Sequence, residues 1–241
     1  MKKIVALLTA VLFAFMVRAQ EAPDPSHIAI KWAPAGLALG SLNLHAEYNF
    51  GKSSLTAKIG IPVSASQTIT YDGKDADFNM KATSFLAGYR TYLSKKHMRG
   101  LYFEPYFKYV HHTSEGRGTG DLSGRSVIFD FTNDYNGVGV GAQLGAQFLI
   151  GNHFVIDLFF LGPEINSARN NFKAVEASNL IPWSNIEASD AERDIRDFID
   201  DIPFIRNKTT VMVDKNNHTV AADFKGALPG FRAGLSIGFA F

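Results

Sequence analysis

Apolar and polar positions along this chain alternate with a period of two, in short runs separated by turn-like stretches. The last run is the clearest. Phe231, Ala233, Leu235, Ile237, Phe239 and Phe241 alternate with Arg232, Gly234, Ser236, Gly238 and Ala240. Successive side chains of a strand point to opposite faces, so this run presents one large apolar face and one small or polar face. Similar runs at 28–33, 42–50, 55–63, 84–93, 101–110, 138–150 and 154–160 bring the predicted strands to eight. The connections at 51–53, 94–100 and 151–153 are short, and those at 34–41, about 65–77, 113–135 and 167–229 are long. Short and long connections alternate, which predicts an all-β, eight-stranded antiparallel up-and-down transmembrane β-barrel with short periplasmic turns and long outer loops.

The polar face of these runs carries Lys31, Glu47, Lys58, Arg90, Glu104, Lys108, Asp157 and Arg232. In lipid the apolar set faces out and these charges face in. An eight-stranded barrel has an interior that side chains can just fill, so the expectation is a plug of ion pairs without a pore. A soluble eight-stranded calyx is the competing arrangement, with its apolar set inside. A proton or ion path along the same charges is the functional alternative to a structural core.

The N-terminal residues change the compartment. Lys2 and Lys3 precede an apolar run over 4–17 that only Thr9 interrupts, and Val17-Arg18-Ala19 follows. That is the layout of a cleaved export signal over 1–19, leaving a barrel domain over 20–241. No cysteine follows the run, or occurs anywhere, so neither a lipid anchor nor a disulfide frame is expected. Loss of the leader leaves 21 basic against 23 acidic residues, a balance that argues against nucleic-acid binding. After the leader no stretch of 18 residues is uninterruptedly apolar, and the mean hydropathy of −0.02 excludes a helical membrane protein.

The final strand, with Phe231, Leu235, Ile237, Phe239 and the terminal Phe241, resembles the sorting signal that the assembly machinery of outer-membrane barrels recognises. The whole pattern is similar to the small eight-stranded outer-membrane barrels, such as the outer-membrane protein A transmembrane domain and outer-membrane protein X. The resemblance implies a Gram-negative outer membrane, contact with its lipid and lipopolysaccharide, assembly by the barrel machinery, and a monomer. It also implies a structural or adhesive surface scaffold whose extracellular ligand is unknown. The chain ends on its last strand, so no periplasmic peptidoglycan-binding domain is expected.

Function would then sit in the loops. Ser189-Asp190-Ala191-Glu192 has the form of a capping box, and Ile195, Phe198, Ile199 and Ile202 follow at helical spacing. A helix over about 190–201 is predicted in the last loop, ended by Pro203. It would lie as a lid, or present Asp194, Asp197, Asp200 and Asp201 to a partner or cation, or pack its apolar stripe on its own loop. Short strands are predicted over 204–213 and 220–224. Gly116, Gly118 and Gly120 lie in a glycine-rich run that lacks the strand-and-helix context of a phosphate loop. His111, His112, Ser114 and Glu115 could belong to a lipid-modifying enzyme, the alternative to the scaffold together with a narrow transporter. Adjacent strand residues face opposite ways, so both histidines cannot serve one site, and no enzyme is expected. No metal spacing and no dinucleotide fingerprint occur, so no cofactor is expected. Sequons at Asn207 and Asn217 carry little weight in a bacterial context.

Overall fold

The computed structural model describes residues 27–71, 74–94, 98–151, 153–177 and 181–241. The export signal expected over 1–19 lies outside them. The strands are β1 (Ile28–Ala33), β2 (Ser41–Phe50), β3 (Ser53–Pro62), β4 (Ala65–Tyr71), β5 (Lys74–Tyr92) and β6 (Gly100–Leu122), then β7 (Arg125–Ile150), β8 (Phe154–Glu176), β9 (Thr209–Asp214) and β10 (Thr219–Ala240). Eight of them, β1, β2, β3, β5, β6, β7, β8 and β10, pair in antiparallel order, and β1 pairs with β10 to close the ring. The backbone of Phe241 extends that seam, its N–H donating to Ile28 and its carbonyl accepting from His27 and Ile28.

The eight predicted strands are all present, and β1 spans the predicted residues. The short turns gather at one end. The other end differs from expectation, because 113–135 and much of 167–229 are not loops. β6 and β7 continue to a tight turn at Ser123-Gly124, where both residues have positive φ. β8 and β10 rise with them. β4 pairs with the upper part of β5, and β9 with the upper part of β10. The result is a lower ring and an upper hood built from the same strands. β1–β3 contribute only to the lower part.

The alternation explains why. On β6 the outward positions Leu101, Phe103, Pro105, Phe107 and Tyr109 are apolar, while the next outward ones are His111, Thr113, Glu115, Arg117, Thr119 and Asp121. The strand keeps its period, but the chemistry of its two faces exchanges. In the hood the inward set includes Phe78, Leu122, Val127, Phe129, Phe131, Phe172, Val220 and Phe224.

Two local features depart from simple alternation. On β8, both Phe160 and Leu161 face outward as a bulge, shown by the register shift from Leu144↔Leu161 to Gly145↔Phe159. Inward residues are therefore odd-numbered below it (Asp157, Phe159) and even-numbered above it (Gly162, Glu164, Asn166). The single α-helix among the described residues, α1 (Asn185–Asp200), starts earlier than predicted. Its capping box is Ser184 with Glu187, where Glu187 N–H donates to Ser184 Oγ and Ser184 N–H to Glu187. The Ser189/Glu192 pair has the same spacing but lies inside the helix, and Glu192 there binds Arg196 one turn on. The strand expected over 204–213 is shorter, preceded by a 3-10 turn at Arg206–Lys208.

Candidate functional site

The lower interior is organised by charge. Lys31 Nζ lies 2.7 Å from both Glu47 and Asp157 and donates to Gln147 Oε1 at 2.8 Å. Arg90 reaches Glu104 at 2.7 Å, Asp157 at 3.0 Å, Glu47 at 3.3 Å and Gln147 Oε1 at 2.7 Å. Tyr92 donates to Glu47 at 2.5 Å and Tyr102 to Asp157 at 2.7 Å. Thr56 and Gln143 donate to Glu104 at 2.7 and 3.1 Å. The Arg90 guanidinium also stacks 3.7 Å from the centre of the Tyr102 ring. These side chains come from β1, β2, β3, β5, β6, β7 and β8, so the layer ties most of the ring across its axis. All five ionised groups are buried. A buried charge is tolerated only when paired and hydrogen-bonded, and here each carboxylate has at least one cation and one neutral donor.

The space left in this layer is about 10 Å³, room for one water at most. Below it Met98, fully buried with Ala29, Val155 and Ala240, fills the short-turn end, and its carbonyl accepts from Gln147 Nε2. The lower interior is closed.

Of the eight inward charges expected, the structure brings Lys31, Glu47, Arg90, Glu104 and Asp157 into this one layer. Lys108 pairs higher up with Glu164, which also accepts from Tyr106 at 3.0 Å. Lys58 and Arg232 face the interior without a carboxylate partner among the described residues. The sequence reading missed Glu164 because the bulge at Phe160-Leu161 reverses which positions point inward. The uncharged members Thr56, Tyr92, Tyr102, Gln143 and Gln147 stand on the predicted inward face, where their alternation with apolar residues was the available signal.

Glycines make room for the tyrosines. Gly145 pairs with Tyr102 and Gly141 with Tyr106 across β6 and β7, and a Cβ on Gly145 would sit 2.3 Å from the Tyr102 ring. The hood repeats the device with a different result. Gly116 and Gly118 on β6 lie beneath the rings of Phe78 and Phe131, and Gly120 beneath Phe129. Phe78, Phe131 and Phe172 stack in sequence at interplanar angles of 20° and 25°. The glycine-rich run is thus a strand floor for aromatic rings and holds no phosphate loop. Trp183, ahead of α1, is buried with Leu122, Val127 and Ala191, and its indole N–H donates to Glu176 at 2.5 Å. Arg125 binds Glu176 and Glu187, joining the top of β7 to the cap of α1.

α1 therefore docks against the hood tip. Ala191 and Ile199 are buried, but Phe198, expected in the packed stripe, is 67% exposed. The helix docks through the face of Ala191 and Ile199, and Phe198 stands off that face beside Asp194 and Asp197, which are exposed as well. On the hood's outer face Arg117 forms a two-pronged pair with Asp130 at 2.6 and 3.0 Å, and this contact holds the Asp130 carboxyl below its usual range. Ser184 backbone and side chain hold the Glu187 carboxyl low in the same way, with help from Arg125.

His111 faces out and lies 3.2 Å from Asp134, while His112 faces in. Among the described residues no hydrogen bond joins Ser114 to either histidine, and no group of three His, Asp or Glu could hold a metal. No described helix is long and apolar enough to cross a membrane.

No protein-family model matches the chain, and no curated protein matches it. Among solved structures the chain is similar to CarO of Acinetobacter baumannii, at 11% identity and a TM-score of 0.45, over 90% of this chain and 98% of that one. It is similar also to CarO2 of the same organism, at 10% identity and a TM-score of 0.46, over 92% of this chain and all of that one.

Proposed function

We propose that this chain is a Gram-negative outer-membrane β-barrel with a sealed interior, exported by its 1–19 leader, that acts as a scaffold holding a rigid recognition hood above the outer leaflet. The observation that carries this reading is the change of face chemistry along single strands. Outward residues are apolar from Leu101 to Tyr109 on β6 and polar from His111 onward, with inward residues changing in the opposite sense. Nine residues of tilted strand match the span of a hydrocarbon core. The further 12 or so residues of β6, at ~3.3 Å each and tilted by ~40°, raise the hood by about 30 Å.

The ion-paired layer favours scaffold over transporter, since it leaves no water-filled path. Lipid and lipopolysaccharide are the contacts that its apolar band and outer rim fit. The seam between β1 and the end of β10 supports assembly by the barrel machinery, because the C-terminal strand with its alternating apolar residues is the one that closes the ring. Surface recognition or adhesion would use the hood's polar outer face and the exposed side of α1. The test is conductance in planar lipid bilayers. The purified protein is expected to insert without producing conductance steps, and regular steps that persist across preparations would contradict the sealed interior.

A further inference from the structure

Above the ion-paired layer the interior opens into a chamber of about 250 Å³. Its charge is unbalanced. Lys58, Lys108 and Arg232 line it, no carboxylate among the described residues does, and Lys108 is already paired with Glu164. Arg232 Nη1 is buried with no hydrogen-bond partner, and its guanidinium faces the Phe159 ring at 4.8 Å and the Tyr106 ring at 5.4 Å. Lys58 Nζ also lies over the Phe159 ring, 4.7 Å from its centre. Two cations held against one aromatic ring, one with a buried N–H that has no protein partner, make an electropositive pocket whose charge an oxyanion would balance.

The wall beside this chamber is also incomplete. β10 pairs with β9 over Thr219–Phe224 and with β1 over 237–240, and between these its 225–236 edge pairs with no strand on that side among the described residues. The 3-10 turn Pro34–Leu39 stands there in place of a strand, and Leu39 and Leu235 line the chamber from its two sides. The same stretch lies in the apolar band, where Leu39 and Phe231 are 61% and 62% exposed. In hydrocarbon an unpaired strand edge is unfavourable unless it borders a cavity that can hold water, and this edge borders the chamber.

We propose that the chamber binds the oxyanion head of a single-tailed amphiphile, a carboxylate or phosphate held by Arg232 and Lys58, with its tail leaving sideways past Leu39 and Leu235 into the outer leaflet. The volume suits this division. It falls short of the ~300 Å³ at which pockets enclose a drug-sized ligand, so it takes a head and not a tail. The site depends on the barrel reading, since the sideways route needs lipid outside the wall.

The test uses the full chain folded in a neutral maltoside detergent, with radiolabelled palmitate, hexadecanol or inorganic phosphate as probe. Palmitate is expected to bind at about one per chain and at least tenfold more tightly than hexadecanol. Arg232→Gln and Lys58→Met should each weaken palmitate at least tenfold, Arg232→Lys should restore most of it, and Arg117→Gln on the hood should leave it unchanged. Displacement of palmitate by millimolar phosphate would support the same site and show that oxyanions reach it from water too. Equal retention of palmitate and hexadecanol, or unchanged affinity in folded Arg232→Gln and Lys58→Met proteins, would overturn the proposal. Retention of phosphate without palmitate would overturn the sideways route and the amphiphile with it. Absence of heat-modifiable gel migration in the unmutated chain would instead contradict the barrel itself.

Discussion

The lower ring and the hood are made of the same strands, yet they are built inside out relative to each other. In the lower ring Lys31, Arg90, Glu47, Glu104 and Asp157 meet at the axis while leucine, isoleucine and phenylalanine cover the outside. In the hood Phe78, Phe129, Phe131 and Phe172 line the inside while Glu115, Arg117, Asp130 and Asp134 cover the outside. Strand geometry is indifferent to this exchange, because a pleated strand only requires that neighbours alternate. What changes is the solvent. Apolar surface moves to wherever water is not, which is outward in lipid and inward in water. The two halves accordingly rely on different forces, ion pairing across the axis in one and aromatic packing in the other.

The comparison predicts unequal responses to mutation. Arg90→Met removes the cation that touches three carboxylates, leaving Lys31 on Glu47 and Asp157 and no cation on Glu104. The cost should be about 3–5 kcal/mol, felt by the whole barrel. Urea unfolding in detergent, followed by heat-modifiable migration, would read it. Trp183→Ala should cost about 3 kcal/mol but only in the hood, since the indole packs on Leu122, Val127 and Ala191. Limited proteolysis should then clip α1 while the barrel keeps its anomalous migration; loss of both together would show that the halves are not separable. Gly145→Ala places a methyl against Tyr102 and pushes its hydroxyl from Asp157, at a cost of about 1–3 kcal/mol.

The smallest effect is a pH dependence confined to α1. The Glu187 carboxyl is held below its ordinary 4.5 by the Ser184 contacts. A lowered folded value means that its contribution is fully present above 4.5 and is lost as pH falls through the folded value. Amide exchange in the first turn of α1 should therefore quicken on acidification below about 4.5, and Glu187→Gln should flatten the response. Equal acid sensitivity in the two proteins would remove this cap from the account.

Much of the lower ring was legible because its alternation is continuous and its turns are short. The run 28–33 matched β1, and the eight inward charges all face the interior. Of the hood, the helix, β9 and the top of β10 were legible, but the upper parts of β5 to β8 were not, for a physical reason. Where a strand leaves lipid for water its apolar and polar faces exchange, so 111–122 and 125–136 look patternless if one face is followed throughout. The bulge at Phe160-Leu161 hid Glu164 by the same logic, a shift of one residue that moves every later side chain to the other face. The helix start was ambiguous because two Ser-x-x-Glu pairs lie five residues apart, and only packing of Trp183 and Ala191 on the hood selects the first. β4 could not be placed from local pattern, since its partner is the upper segment of β5, itself unrecognised, whereas β9 and the top of β10 were legible as the short strands over 204–213 and 220–224.

The most direct measurement of the inversion is an accessibility scan along β6. The chain has no cysteine, so single cysteines from 101 to 121 can each carry a nitroxide without background. In lipid vesicles, labels at odd positions 101–109 should be open to oxygen and closed to a water-soluble nickel complex, and labels at 113–121 the reverse. Even positions 102–108 should be closed to both. Free access of the nickel complex to 103, 105 and 107 would mean that this face meets water, and the account of a barrel sealed in a membrane would fail.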